Sequence, residues 1–395
     1  MRPVVVAFAL IAAPGLAAPV EQGVPNVPAF KPAFAGQTRA PAVKTLAPLS
    51  VTEIAGGFDQ PWALAFLPDG RMLVTEKAAS AIRVVARAGA KSPPIAGTPP
   101  ADTRGQGGMF DVELAPDFAK SKTMYWSYAE ARPGGSGLAV ARGTFVDGAK
   151  PRVDGVKVIF RMLPLLGSPM HYGGRLVFAR DGTLFVTMGD RSVMAGRVQA
   201  RDLASHFGKI ARINPDGSVP KGNPYVGRAG ALPETWSIGH RNVQAAALDA
   251  QGRLWEVEMG PQGGDELNLV GKAKDYGWPT ITYGEEYSGK AIGKAITAAP
   301  GLEQPVYYWD PVIAPSGMAI HSGAGMPAWK GNIFIGGLAG QALVRLVMRG
   351  DQVVGEERLL TDRGDRIREV VEGPDGALYL LTDAGDGKLL RVARR

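Results

Sequence analysis

Short apolar runs of strand length recur in pairs along this chain, each pair joined by a few turn residues, and the phrase returns six times. Pro61-Trp62-Ala63-Leu64-Ala65-Phe66 leads through Pro68-Asp69-Gly70 to Arg71–Thr75, and Asp111–Leu114 leads through Pro116-Asp117-Phe118 to Thr123–Tyr128. Leu176–Phe178, Arg180-Asp181-Gly182 and Leu184–Thr187 form the third copy; Gln244–Leu248, Ala250-Gln251-Gly252 and Arg253–Glu256 the fourth. Gly317–Ile320 with a longer Pro327–Gly331 turn and Asn332–Ile335 is the fifth, and Ile367–Val371, Pro374-Asp375-Gly376 and Ala377–Leu381 the sixth. Asp-Gly between apolar runs predicts a hairpin, because glycine accepts the positive φ such turns require.

Gly70 and Gly376 lie 306 positions apart, so the interval averages about 61 residues, enough for a four-stranded unit with one long loop. Six such units close a ring without a long free sheet edge. The predicted fold is therefore all-β: a six-bladed β-propeller of four-stranded antiparallel blades spanning 49–395. In that architecture the segments preceding each inner strand gather on one face. They bring Gln106, His171, Arg241, Asn242, Ser316, Arg366 and Arg368 together although they are far apart in the chain.

Composition agrees with many turns, with 53 Gly and 31 Pro in 395 residues, and with no Cys it excludes disulfides, thiolate metal sites and a cysteine nucleophile. The formal charge of +7 is scattered rather than clustered, which argues against nucleic acid. At the N-terminus, Arg2, the apolar run Val4–Ala13 and Gly15-Leu16-Ala17-Ala18 read as an export signal over 1–18, giving a periplasmic or secreted protein without stable membrane insertion. Residues 19–48, rich in Pro and Ala, read as a flexible leader.

His171 is one of four histidines and stands beside Gly173 and Gly174 at the start of a hairpin, a setting suited to a general base. Gly105-Gln106-Gly107-Gly108 offers an amide in a Gly-rich approach, and Gly239-His240-Arg241-Asn242 a guanidinium beside an amide, suited to a carboxylate or quinone oxygen. In Glu258–Glu266, the Gly260 and Pro261 carbonyls with nearby carboxylates are hard oxygen ligands of the kind Ca²⁺ takes. The spacing of Gly284 to Lys290 imitates a phosphate loop, but Ala291 replaces the Ser or Thr and two glutamates would repel phosphate. His206, His240 and His321 read as structural.

Together with Gln60–Gly70, Tyr276-Gly277-Trp278-Pro279 and Arg366-Ile367-Arg368, these motifs resemble the glucose/sorbosone dehydrogenase family, specifically its exported aldose sugar dehydrogenases that use pyrroloquinoline quinone (PQQ). The resemblance covers Leu49 to the C-terminus. It implies that His171 takes the proton of the anomeric hydroxyl while hydride passes to PQQ, yielding an aldonolactone, with an external quinone or cytochrome as final acceptor. It also implies that Gly260 and Pro261 hold a Ca²⁺ ion and that Gln106, His171, Arg241, Asn242, Arg366 and Arg368 bind the cofactor. Glu266 and Tyr276 match a second, structural calcium site. Four positions depart from the family pattern: Met170 stands where the glucose-oxidising branch has an acid, Gly337-Leu338-Ala339-Gly340 where it has a cofactor-binding lysine, leaving only the backbone amides of Leu338 and Ala339, Val243 where a Pro is common, and Glu258-Met259 where a His is usual. Two other functions suit the fold: a Ca²⁺-dependent sugar-lactone hydrolase, which would need several carboxylates in the channel, and a non-catalytic carbohydrate-binding propeller.

Overall fold

The computed structural model describes residues 17–395, so the expected export signal lies, up to residue 16, outside the described residues. Six four-stranded antiparallel sheets stand round a channel. Their inner strands are Pro61–Phe66, Met109–Leu114, Gly173–Phe178, Val243–Leu248, Pro315–Ile320 and Ile367–Glu372, each belonging to one sequence repeat and packing against its neighbours round the axis. The ring closes on its N-terminal strand: Leu49–Phe58 pairs with Gly387–Arg394 as the outermost strand of the last blade. Among the described residues no helix is long and apolar enough to cross a membrane.

The turns behave as their residues dictate. Gly70, Gly182, Gly252 and Gly376 hold φ of +83°, +81°, +80° and +73°, and each N–H closes on the carbonyl three residues back. The second repeat has Phe118 in the glycine's place, so its chain closes instead through one helical turn, Phe118–Ser121, ended by Lys122 at φ +54°. Pro327–Trp329 in the fifth repeat is likewise one 3₁₀ turn.

Apolar side chains pack between blades, one cluster at each of the six interfaces. Leu64 and Val74 of the first blade, for example, meet Leu381 and Leu389 of the last, and Ala245 and Trp255 of the fourth meet Met318 and Ile335 of the fifth. Every inner strand also slips register near its start, as in Gly173↔Met188 followed by Leu176↔Val186. Such bulges turn the side chains before the strand toward the axis.

Residues 17–48, where the composition suggests flexibility, lie against the fourth and fifth blades. Ala40 N–H donates to the Tyr307 hydroxyl at 2.9 Å, Val43 N–H to the Glu356 carbonyl at 2.9 Å and Asn26 N–H to Asp310 at 2.8 Å. Gln37 is fully buried and donates to the Pro305 carbonyl. Proline withholds the regular ladder, and outer-strand and loop acceptors satisfy the main chain in its stead.

Candidate active site

At the end of the channel where the inner strands begin, a cavity of about 270 Å³ opens. Its lining includes five expected cofactor residues, Gln106, Asn242, Leu338, Arg366 and Arg368, together with Trp62, Lys77, Tyr172, Gln244 and Asp383. Arg366 and Arg368 share Asp383, at 2.9 and 3.2 Å. Against the cost of burial, these guanidiniums hold the Asp383 carboxyl below its usual range. Arg368 also donates to Ser316 at 3.0 Å. The Leu338 and Ala339 amides, expected as cofactor donors, already donate to the Ala314 and Ile313 carbonyls at 3.0 Å each, so Leu338 reaches the cavity without a free N–H.

His171 sits beside this cavity, buried, at φ +45°, an uncommon conformation for a residue with a side chain. Gln106 secures it: the Gln106 side-chain oxygen accepts the His171 main-chain N–H at 2.8 Å, while the Gln106 main-chain N–H donates to the Pro169 carbonyl at 2.9 Å. The ring Nδ1 lies 2.7 Å from Asp190 Oδ1. Trp278 Nε1–H binds the other Asp190 oxygen at 2.8 Å, and Ser192 N–H donates to the first. Against the cost of burial, His171 and Arg241 hold the Asp190 carboxyl below its usual range. An ionised carboxylate only accepts, so Nδ1 carries the proton and Nε2 keeps its lone pair. Burial lowers the His171 pKa below 6.5, outweighing Asp190, with Arg241 assisting. The imidazole is neutral at pH 7, with its free nitrogen able to accept a proton.

Arg241 packs over Trp278 and donates to the Met259 and Gly260 carbonyls at 2.9 and 2.6 Å. Gly260, Pro261, Glu266 and Tyr276, which the family resemblance implies for two calcium sites, border one small cavity of about 10 Å³, together with Glu258. The Tyr276 phenol donates to the Leu269 carbonyl at 2.6 Å and stacks on His240, which leaves only its main-chain carbonyl as a ligand. Glu256, Glu258 and His240 lie close enough to share an ion. Against the cost of burial, the two glutamates push His240 up to about 9. Glu256 Oε2 and Asn268 Oδ1 are buried with no partner among the described residues. Hard oxygens, surplus negative charge and unpaired acceptors suit a divalent cation of the Ca²⁺ type.

His206 and His321 have structural partners, Leu163 N–H and Glu234 for the first and Gly323 N–H and the Gly376 carbonyl for the second. The sequence reading gave no role to Asp190, Lys77, Asp383 or the indole of Trp278. Asp190 follows the return strand of the hairpin that His171 precedes, so hairpin pairing brings the two segments together, while the register slip decides which residue faces His171.

A channel mouth that couples a neutral histidine to a buried carboxylate beside a wall of guanidiniums is an acid–base site in a β-propeller, and the relatives of this chain make it an oxidoreductase. The chain belongs to the glucose/sorbosone dehydrogenase family, whose model matches residues 58–391. It is 42% identical to the aldose sugar dehydrogenase YliI of Escherichia coli (strain K12) over 353 residues, 88% of this chain and 94% of that protein. The apo-form crystal structure of the soluble E. coli aldose sugar dehydrogenase matches with a TM-score of 0.84 and 41% identity, covering 88% of this chain and all of that one. The PQQ-bound aldose sugar dehydrogenase of Streptomyces coelicolor matches with a TM-score of 0.70 and 27% identity, over 88% of this chain and 99% of that one.

Proposed function

We propose that this protein, after export to the periplasm, oxidises aldose sugars at the anomeric carbon to aldonolactones with PQQ and Ca²⁺, passing electrons to an external acceptor. The observation that carries this reading is the His171–Asp190 pair beside a cavity whose walls are cationic and whose polar groups are left unpartnered: Asn242 Oδ1 and Arg368 Nε are buried without a hydrogen bond, as is Arg241 Nε at the neighbouring small cavity. Those groups fit a flat, multiply charged anion such as PQQ, with Arg366, Arg368 and Arg241 for its carboxylates and quinone oxygens and Asn242 for a polar edge. Gly260 and Pro261 are the proposed carbonyl ligands of the catalytic Ca²⁺, and Glu266 and the Tyr276 carbonyl those of a structural one.

When bound, PQQ supplies a two-electron acceptor and Ca²⁺ a Lewis acid. The chain's part is proton transfer and alignment. His171 Nε2 takes the proton of the anomeric hydroxyl, and Asp190 stabilises the resulting imidazolium through Nδ1–H. Gln106 fixes the main chain that aims the ring, and Trp278 keeps Asp190 from turning away.

Reconstitution tests this. Apo-protein given PQQ, Ca²⁺, an aldose and an artificial electron acceptor should reduce dye, and His171→Ala should lower turnover by at least about 10²-fold. Absence of PQQ uptake and of turnover would overturn the reading, and a lactone-hydrolysis assay would follow.

A further inference from the structure

We propose that Lys77 is a cofactor-binding residue whose ammonium takes one of the carboxylates of PQQ. The inference rests on the function proposed above and adds to it a cation from the first blade.

Lys77 directly follows the strand Met72–Glu76, so it leaves the blade at the same end as the cavity it lines. Its direction is set by the Gly-rich segment that carries Gln106. Gly108 lies at φ +140°, and a Cβ there would stand 2.2 Å from the Lys77 carbonyl oxygen and 2.5 Å from its Cγ. Glycine at 108 thus lets the Gln106 loop lie flat on the lysine's main chain and stem, and one packing contact holds both residues against one cavity.

The ammonium has no hydrogen bond or ion pair among the described residues. The one carboxylate lining the cavity, Asp383, is already shared by Arg366 and Arg368. Lys77 is half-buried, and burial lowers its pKa, with Arg368 and Arg366 adding to the effect and Asp383 and Asp59 opposing. Three cations therefore face one anion in a confined space, an arrangement that favours a ligand carrying more than one negative charge. The buried, unpartnered Arg368 Nε and Asn242 Oδ1 point independently to a polar ligand in the same cavity. The Leu338 and Ala339 amides are spent on main-chain bonds, so these two residues contribute no free donor there and Lys77 supplies the charge from the first blade, one blade removed.

The test is a titration of PQQ into the full-length apo-protein with Ca²⁺ present, read by tryptophan fluorescence and PQQ absorbance rather than by turnover. Lys77→Met should weaken the dissociation constant by about tenfold or more and flatten its dependence on salt, and Lys77→Arg should restore most of the affinity. A Met variant that binds within about twofold of the parent would overturn the proposal. Wild-type protein that takes up no PQQ would instead overturn the proposed function, a failure seen in a different sample. Lys77→Gln answers the same question if the Met variant does not fold.

Discussion

The two ends of the channel are built from the same six strands and carry opposite charge. Where the strands start, the charged lining is Lys77, Arg366, Arg368 and Asp383; where they finish, it is Glu113, Glu369, Glu372 and Arg175. Three cations with one carboxylate thus face three carboxylates with one guanidinium along a single axis. The ends differ in what burial does to them. Burial raises Glu369 to about 7, with Arg175 opposing, and raises Glu113 to about 8, with Asp111 adding to the effect, so much of the negative charge disappears by taking up protons. Guanidinium has no such recourse, so at the end where the strands start Arg366 and Arg368 stay charged across the physiological pH range. Persistent charge for an ionic ligand therefore exists at one end only, the end where the bulges aim His171, Asn242 and Arg368. Arg175 closes the other, bonded to Asp111 and Glu369 at 3.1 and 2.7 Å and lying over Trp62.

The largest effect expected is at the upper end. Asp190→Asn keeps the shape of the His171 contact but can donate to Nδ1, which would move the proton to the nitrogen that must accept one. In the reconstituted enzyme kcat should fall by about 10²–10⁴-fold with PQQ binding unchanged. The pH profile supplies a second readout. A protonated His171 cannot act as base, so kcat/KM of the parent should decline as pH drops through a pKa below 6.5. Removing Asp190, which raises that pKa, should move the acid limb lower still. An unchanged limb would mean that another group titrates.

Arg175→Met is the matching substitution for the lower end. It strands Asp111 and Glu369, both about 1% exposed, and should cost about 3–5 kcal/mol of stability at pH 7, read from urea denaturation. Because burial raises both carboxyls, Glu369 to about 7, this deficit should shrink as pH falls and the stranded groups take up protons. A deficit that stays equal as pH falls would assign the loss to packing on Trp62 rather than to charge.

Much of this contrast was legible in the chain, and the reason is periodicity. Each inner strand and its turn carries its own local signal, so six blades and the convergence of Gln106, His171, Asn242, Arg366 and Arg368 follow from counting. What escaped depends on pairing across space. From Phe178↔Leu184, uninterrupted pairing would set His171 opposite Arg191; the slip between Gly173 and Leu176 sets it opposite Asp190 instead, and no residue type announces that bulge. Lys77 stood in an unremarkable stretch after a strand, its meaning supplied by Gly108 from the next blade. The closing strand Leu49–Phe58 and the docked segment before it also make their contacts with residues some 300 positions away, beyond the reach of local pattern.

The smallest expected effect decides whether the lower end sheds its charge. Glu369 is ionised above about 4.5 in the unfolded chain but, raised by burial, keeps its proton in the folded protein up to about 7. Between those values the folded state binds the extra proton. This contribution to stability is complete below pH 4.5 and is lost as pH rises through 7, with a slope of at most about 1.4 kcal/mol per pH unit. Glu369→Gln holds a neutral group of the same shape at every pH, so it should remove that slope and leave stability near pH 5 little changed. Denaturation midpoints at pH 5, 6, 7 and 8 give the comparison. Parallel curves for parent and variant would show Glu369 ionised throughout as a full partner of Arg175. The lower mouth would then keep its negative charge, and the two ends would differ in sign alone.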